Sequence, residues 1–311
     1  MTVAVLVCIA ALILDRLFGE PSRWHPLVGL GWCIDRVEGW LNRDGQGSVG
    51  AGALGVVLVV ALPLALAYAA SALPLAAWAP VSAVVLWAAI GHHSLVDHGM
   101  AVYRPLVSGD LDGARERVGM MVSRDTTALD EAGVAAATTE SVLENGADAV
   151  FASLFWFLLA GLPGLVLHRV VNTLDAMWGY RSSRFNHFGR FAARLDDVLN
   201  WIPARLTALS YALAGNRHQG LACWRRQARD WDSPNAGPVM AAGAGALSVQ
   251  LGGPAPYRDG WKTRPVLGEG DPACADTIPA ACALVWRALL IWLAAGLVLA
   301  FVSWSGLVGV S

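Results

Sequence analysis

Long apolar runs alternate with polar ones along this chain, and the apolar runs set its architecture. From Gly45 to Gly91 there are 47 residues without a formal charge. A bilayer core about 30 Å thick takes about 20 helical residues. The run therefore predicts two crossings, segments 49–70 and 74–91, joined by a turn near Ser71–Pro74. Tyr68, Trp78 and Trp87 fall where aromatic belts are expected. Segment 149–167 is a further uncharged run, broken by Gly161-Leu-Pro-Gly164, and segment 288–310 is apolar towards the C-terminus. Segment 1–14 is apolar but short, and it lacks a basic n-region and a small-residue cleavage site. It reads as a retained first helix rather than a signal peptide. Ser233–Tyr257 is uncharged too, but nine of its 25 residues are Gly or Pro. That composition predicts buried loop with a short helix around Val239–Leu251.

The pattern predicts an all-α, polytopic integral membrane protein with four to five transmembrane helices. No internal repeat or low-complexity linker divides it, so a single domain is expected. The polar stretches 15–44, 92–148 and 168–287 carry four, four and fourteen basic residues. The positive-inside rule places all three in the cytoplasm, on the inner side of the cell membrane. The hairpin over Gly45–Gly91 satisfies that. Segment 149–167, taken as one crossing, violates it. Either its glycine–proline break makes it re-entrant or buried in protein, or part of the third polar stretch re-enters the bilayer.

Composition sharpens this. The 311 residues hold 22 Lys+Arg against 24 Asp+Glu, a net charge of −2, which removes the basic surplus of a nucleic-acid binder. Hydrophobic residues make up 56% and charged ones 15%, excluding a disordered chain and arguing against an ordinary soluble enzyme. The five cysteines are widely spaced with no C-x-x-C pair and read as small apolar fillers. Lys262 is the sole lysine, and a lysine-bearing phosphate loop is absent. Phosphates or carboxylates must then be met by Arg forks and backbone N–H groups.

The chemistry sits in the polar stretches. Asp15 closes the first apolar segment, and His25 follows a Gly/Pro-punctuated turn; a carboxylate and imidazole there suit cation binding or proton transfer, or a plain helix end. In Ser123-Arg124-Asp125-Thr126, Asp125 or Thr126 is the expected N-cap of a helix running to Gly146. Glu140 and Glu144 stack at i,i+4 on it, and two like charges there call for a divalent cation or an Arg unless the face is solvated. Further on, Arg169, Asn172 and Thr173 share a helix face with Asp175 beyond, and Asn200 lies within reach of both Asp196 and Asp197. Such groups between hydrophobic segments are costly to desolvate without partners. An Arg194–Asp197 ion pair is the structural alternative. Ser233-Pro-Asn235-Ala-Gly237 offers backbone N–H groups to an anion. His93 and Asp97, also i,i+4, read as an interfacial helix end before a metal pair.

In their order along the chain these pieces resemble the CobD/CbiB family of cobalamin-biosynthesis membrane proteins. The matching motifs are Asp15…Gly19-Glu-Pro21…His25-Pro26, Ser123-Arg-Asp-Thr126, Thr139-Glu-Ser-Val-Leu-Glu-Asn145, Asn172-Thr-Leu-Asp175…Gly179-Tyr180, Asp196-Asp-Val-Leu-Asn200…Pro203-Ala-Arg-Leu-Thr207, Ser233-Pro-Asn-Ala-Gly237 and Leu251-Gly-Gly253. Glu20 stands where a family aspartate is expected. The resemblance implies an adenosylcobinamide-phosphate synthase, a carbon–nitrogen ligase. It joins aminopropanol, or its O-phosphate, to the free propionate carboxyl of adenosylcobyric acid with ATP and Mg2+. Glu140, Asp196, Asp197 and Arg205 are then expected to be catalytic, and Glu140, Glu144 and Asp197 to hold metal. Asp15, His25, Arg124, Asp125, Arg169, Asn172, Asp175, Asn200, Ser233 and Asn235 are expected to bind substrate. The corrinoid is substrate rather than cofactor, other cobalamin-pathway membrane enzymes are candidate partners, and no nucleic acid is involved. The rival readings are a transporter and a non-catalytic scaffold of the corrinoid pathway.

Overall fold

The computed structural model describes residues 2–20, 26–257 and 260–308. In chain order the helices are α1 (Thr2–Phe18), α2 (Pro26–Leu41), α3 (Val49–Ser71), α4 (Leu75–Ile90), α5 (His92–Val107) and α6 (Leu111–Gly119). They continue as α7 (Glu131–Asn145), α8 (Ala152–Trp178), α9 (Arg190–Ala214), α10 (Arg217–Gln227), α11 (Ala236–Leu247) and α12 (Thr277–Val308). With 77% of it helical, the chain is an all-α polytopic membrane protein. Among the described residues, four stretches are long and apolar enough to cross a bilayer: Val49–Ser71, Leu75–Val107, Glu131–Trp178 and Thr277–Val302.

The chain forms two compact units. The first comprises residues 1–91, 152–200 and 297–311; the second comprises 92–151 and 201–296. Both α9 and α12 contribute to each.

In the first unit, Ser48 caps α3 by accepting the Ala51 N–H at 3.2 Å. The helix is apolar all round, as a span should be. The indole N–H of Trp87 on α4 donates to the Gly19 carbonyl at the end of α1 (2.9 Å). Ile34, Val59, Leu174, Trp178 and Phe188 form the core where α2, α3 and α8 meet. A polar knot closes its edge. Arg184 forks onto Glu38 (2.9 and 2.8 Å), Asn42 donates to the same carboxylate (2.7 Å), and the Gly47 N–H donates to Asn42 Oδ1 (2.8 Å). The expected break in segment 149–167 is real: Gly161 leaves helical conformation (φ 63°, ψ −151°) two residues before Pro163. The most apolar part of the span Glu131–Trp178 is half buried in protein, against 22% for the first and last spans.

In the second unit the helix carrying Glu140 starts at Glu131, with Asp130 as its cap accepting the Gly133 N–H (2.8 Å). Neither Asp125 nor Thr126 is the N-cap. Instead Asp125 Oδ1 accepts the Thr127 N–H and hydroxyl (3.0 and 2.7 Å), a local turn that competes with helix. A π-helical turn over Gly146–Phe151 leads from α7 into α8. Residues Ala236–Ala246 of α11 are all buried. The helix is built of Ala and Gly, so α10 approaches closely at Gly220 and Gly245, where a Cβ would meet backbone.

The helix expected around Val239–Leu251 ends at Leu247, because Ser248 turns left-handed (φ 57°) and the chain becomes strand. β1 (Val249–Gly252) pairs antiparallel with β4 (Val266–Leu267) and parallel with β5 (Asp271–Pro272). β2 (Ala255–Tyr257) pairs with β3 (Gly260–Lys262). The Gly and Pro content read as loop supplies the positive-φ corners of this small sheet at Gly252, Gly253 and Gly268. The last helix also starts eleven residues before the expected segment, at Thr277.

Gly52 packs under the Phe188 carbonyl, which a Cβ would strike, whereas Gly50 meets only the Ser48 hydroxyl at 3.7 Å. Gly52→Ala is expected to cost about 1–3 kcal/mol through overpacking, read as a lowered melting temperature in detergent, with Gly50→Ala leaving it unchanged or raised.

Candidate functional site

Side chains expected to carry chemistry gather in three places. In the second unit, α7 presents Glu140, which is 3% exposed. Its Oε2 accepts from Arg124 (2.6 Å) and Arg264 (2.9 Å), and its Oε1 from Arg264 (3.1 Å) and the Gly252 N–H (2.8 Å). Arg264 also donates to the Gly253 carbonyl (3.0 Å) and lies 5.3 Å from the Trp231 ring centre. The Asp125 N–H donates to the Pro256 carbonyl (3.2 Å). Glu140 therefore fastens the strand segment to α7 and to the Arg124 loop. The repulsion between Glu140 and Glu144 is answered by arginine, and four hydrogen bonds leave Glu140 no free direction for a metal ion. Glu144, one turn on, is partly buried. Among the described residues no three His, Cys, Asp or Glu side chains cluster to hold a metal.

Also in the second unit, Arg205 reaches the start of α11. It donates to the carbonyls of Trp201 (2.8 Å) and Pro234 (3.1 Å) and to Asn235 Oδ1 (3.2 Å), with its guanidinium 4.1 Å over the Trp201 ring. Ser233 Oγ accepts the N–H groups of Asn235 and Ala236 (3.3 and 3.2 Å). The Ser-Pro-Asn-Ala-Gly motif thus spends part of its donor set on capping its own helix.

The third group lies in the first unit, on α8 and the first half of α9. Asp196 is buried and accepts from Asn200 Nδ2 (2.9 Å) and Asn172 Nδ2 (3.4 Å). Asn172 Oδ1 in turn accepts from Arg169 (3.4 Å). His168, fully buried, contacts Asn200 Oδ1 through Nε2 at 2.9 Å. Because the Asn200 amide N–H is given to the carboxylate, its oxygen must accept, so Nε2 of His168 carries the proton. Burial pushes the Asp196 carboxyl from near 3.8 up to about 6, against the lowering effect of both amides. Arg169 also lines an otherwise apolar cavity of about 440 Å³, with Leu30, Pro63, Leu66, Val85 and Leu165 among its walls.

The sequence pattern placed both carboxylates of Asp196-Asp197 within reach of Asn200; Asp196 alone bonds it. Successive residues point about 100° apart on a helix, and Asp197, half-buried, lies in the field of Arg194 and Arg181. Asp15 is buried in the last turn of α1. Asp175 sits one turn beyond Asn172, its carbonyl accepting the Gly179 N–H. His25 lies outside the described residues. Two members were missed, Arg264 as the second partner of Glu140 and His168 behind Asn200. His168 had a signal, standing four residues before Asn172 and so on its face; the pairing of Arg264 with Glu140 spans 124 residues and leaves no local trace.

Four apolar spans among the described residues, with guanidinium groups and buried carboxylates and amides in and between them, define a polytopic membrane protein with buried polar sites. The family model described as CobD/Cbib protein matches residues 8–285, and the chain belongs to the CobD/CbiB family. Two similar proteins, each named cobalamin biosynthesis protein CobD, come from Chromobacterium violaceum and Stutzerimonas stutzeri, both 54% identical. These alignments cover 92% and 96% of this chain and 94% and 98% of theirs. One from Mycobacterium tuberculosis is 41% identical over 88% of this chain and 89% of its own. No solved structure matches.

Removing Glu140 strands two guanidinium groups that are largely withdrawn from water. Glu140→Ala is expected to lose about 3–5 kcal/mol of stability in a reversible unfolding titration, and adding Arg124→Met and Arg264→Met to it is expected to recover part of that loss.

Proposed function

We propose that this member of the CobD/CbiB family acts in cobalamin biosynthesis as an ATP-dependent ligase. It joins aminopropanol, or its O-phosphate, to the free propionate carboxyl of adenosylcobyric acid. The observation that carries the reading is the buried Asp196 held by Asn172 and Asn200 beside Arg169, within a chain 54% identical to proteins named for this pathway. Amide formation from a carboxylate needs activation. An oxygen of the propionate attacks a phosphorus of ATP, releasing ADP or pyrophosphate and leaving an acyl phosphate or acyl adenylate. The amine nitrogen then attacks the acyl carbon, its proton passes to a base, and phosphate or AMP departs.

Each step has a matching group. A carboxyl titrating near 6 is suited to take the amine proton, so Asp196 is the base in this reading and Asp197 its half-buried neighbour towards the substrate. Asn172 and Asn200 orient Asp196 through their amides, and His168 fixes Asn200 from behind. Arg169, beside Asn172, answers the charge that develops on phosphate and acyl oxygens. When bound with ATP, Mg2+ would neutralise the phosphates, a role that takes only one or two protein carboxylates. Asp197, half-buried beside Asp196, is the carboxylate of the first unit left for it, whereas Glu140 is spent on arginine. Arg124, Asp125 and Glu140 then shape the strand segment around Gly252-Gly253. The polar segments face the cytoplasm, where ATP is.

The test is direct. Detergent-purified protein given adenosylcobyric acid, aminopropanol phosphate and Mg-ATP is expected to form the amide and consume nucleotide stoichiometrically. A transporter or a scaffold forms none. Asp197→Asn is expected to abolish turnover while still inserting in the membrane; undiminished activity removes Asp197 from the site. Ionised Asp196 is the working form, so the rate is expected to rise through about pH 6 and Asp196→Asn to remove that limb. The sign for stability is opposite. A carboxyl raised in the folded state favours its neutral form, so its contribution is present below pH 4 and is lost as pH rises from about 4 to 6.

A further inference from the structure

The second half of α9, from Trp201 to Ala214, has two faces of opposite exposure. Ala204, Ala208, Tyr211 and Ala212 are buried. Ile202, Leu206, Leu209 and Leu213 are 49%, 39%, 40% and 46% exposed. Their spacing of i, i+4, i+7 and i+11 makes one continuous apolar stripe. No polar group on this segment needs water to complete the stripe: the hydroxyls of Thr207 and Ser210 donate to the carbonyls of Pro203 and Leu206 (2.9 and 2.7 Å).

What covers the stripe follows from its neighbour. Trp292, on the spanning helix α12, donates to Ser210 Oγ (2.7 Å), and Tyr211 donates to the Leu143 carbonyl (3.0 Å). The buried face of the segment is thereby fastened to a membrane-crossing helix whose own Trp286 and Leu290 stand exposed. At one end Arg205 lies over the Trp201 ring, the aromatic–guanidinium pairing of a lipid–water boundary, where a long basic side chain reaches for polar groups. Asn216, Arg217 and His218 close the other end. The fourteen residues span about 21 Å, short of a bilayer core of about 30 Å, and both ends are polar.

We propose that Trp201–Ala214 is a further membrane-inserted segment, lodged in one leaflet beside α12 with Ile202, Leu206, Leu209 and Leu213 against lipid acyl chains. Hydropathy over a long window passes it by, because Arg205 and the hydroxyl-bearing face dilute the stripe. It is a re-entry within the third polar stretch. The inference rests on the membrane fold and not on the ligase reading.

The wild-type protein, reconstituted in phosphatidylcholine vesicles carrying a diazirine on the acyl chain, tests it without any substitution. After photolysis and trypsin, the peptide Leu206–Arg217 is expected to carry lipid adduct, as the α12 peptide beginning at Ala288 does. An unlabelled Leu206–Arg217 peptide beside a labelled α12 peptide overturns the proposal. Nitroxides at Ile202→Cys, Leu206→Cys, Leu209→Cys and Leu213→Cys, each in a cysteine-free background in the same vesicles, are expected to collide with oxygen and not with a water-soluble nickel chelate, as at Leu290→Cys. Nickel broadening would mean a water-facing stripe, exclusion of both reagents a protein cover, and spin–spin broadening a second copy; each refutes the lipid assignment.

Discussion

The Glu140 carboxylate, met by two guanidinium groups and one backbone N–H in a nearly dry position, shows the constraint under which this protein is built. A chain that is 56% hydrophobic and 15% charged can place few ionic groups inside, and each must be fully answered. Glu140 is answered from three chain positions, Arg124, Gly252 and Arg264. Three otherwise separate segments are brought to one point. Without that anion, Arg264 would have no reason to leave water for the Trp231 face, and the Gly252-Gly253 corner would lose a donor's partner. Glu140 is thus one of the anchors that hold the small sheet to α7.

The first unit obeys the same rule with a different currency of partners. Asp196 has amides, not arginines, as its direct donors. Amides satisfy lone pairs without adding charge, so burial pushes the Asp196 carboxyl up to about 6. The contrast separates two uses of a buried carboxylate. One ringed by guanidinium groups is held as an anchor. One held by neutral donors can gain and lose a proton near neutrality, which is what acid–base chemistry requires. Behind it His168 bonds the Asn200 amide oxygen and so fixes its orientation, and His168, Asp196 and Asn200 are all buried.

Motif residues also serve structural ends at the other sites. Ser233 caps α11 and Arg205 binds the backbone of the same loop, while Asp125 builds the turn that precedes α7. A motif in a membrane protein closes its own helix ends as well as facing any ligand, since the orphan N–H groups of a helix start cost free energy when buried without partners.

Read alone, the amino-acid order determined the spans, the helical class and the short-range pairs. Uncharged runs of helix length, the Gly161–Pro163 break and the i,i+4 contact of Asn200 with Asp196 all follow from periodicities of a few residues, which a linear pattern records. The resemblance to the CobD/CbiB family was legible for the same reason, as an ordered set of short motifs. The tertiary structure alone decided that Arg264 completes Glu140 across 124 residues, that the glycine-rich run after Ser248 becomes strand, and that His168 stands behind Asn200. It also decided that Asp196 and not Asp197 receives the amide. Those outcomes turn on where distant segments meet and which side of a helix faces them, and neither is written in local spacing, because a buried polar group takes whichever partner the packing brings within hydrogen-bond reach.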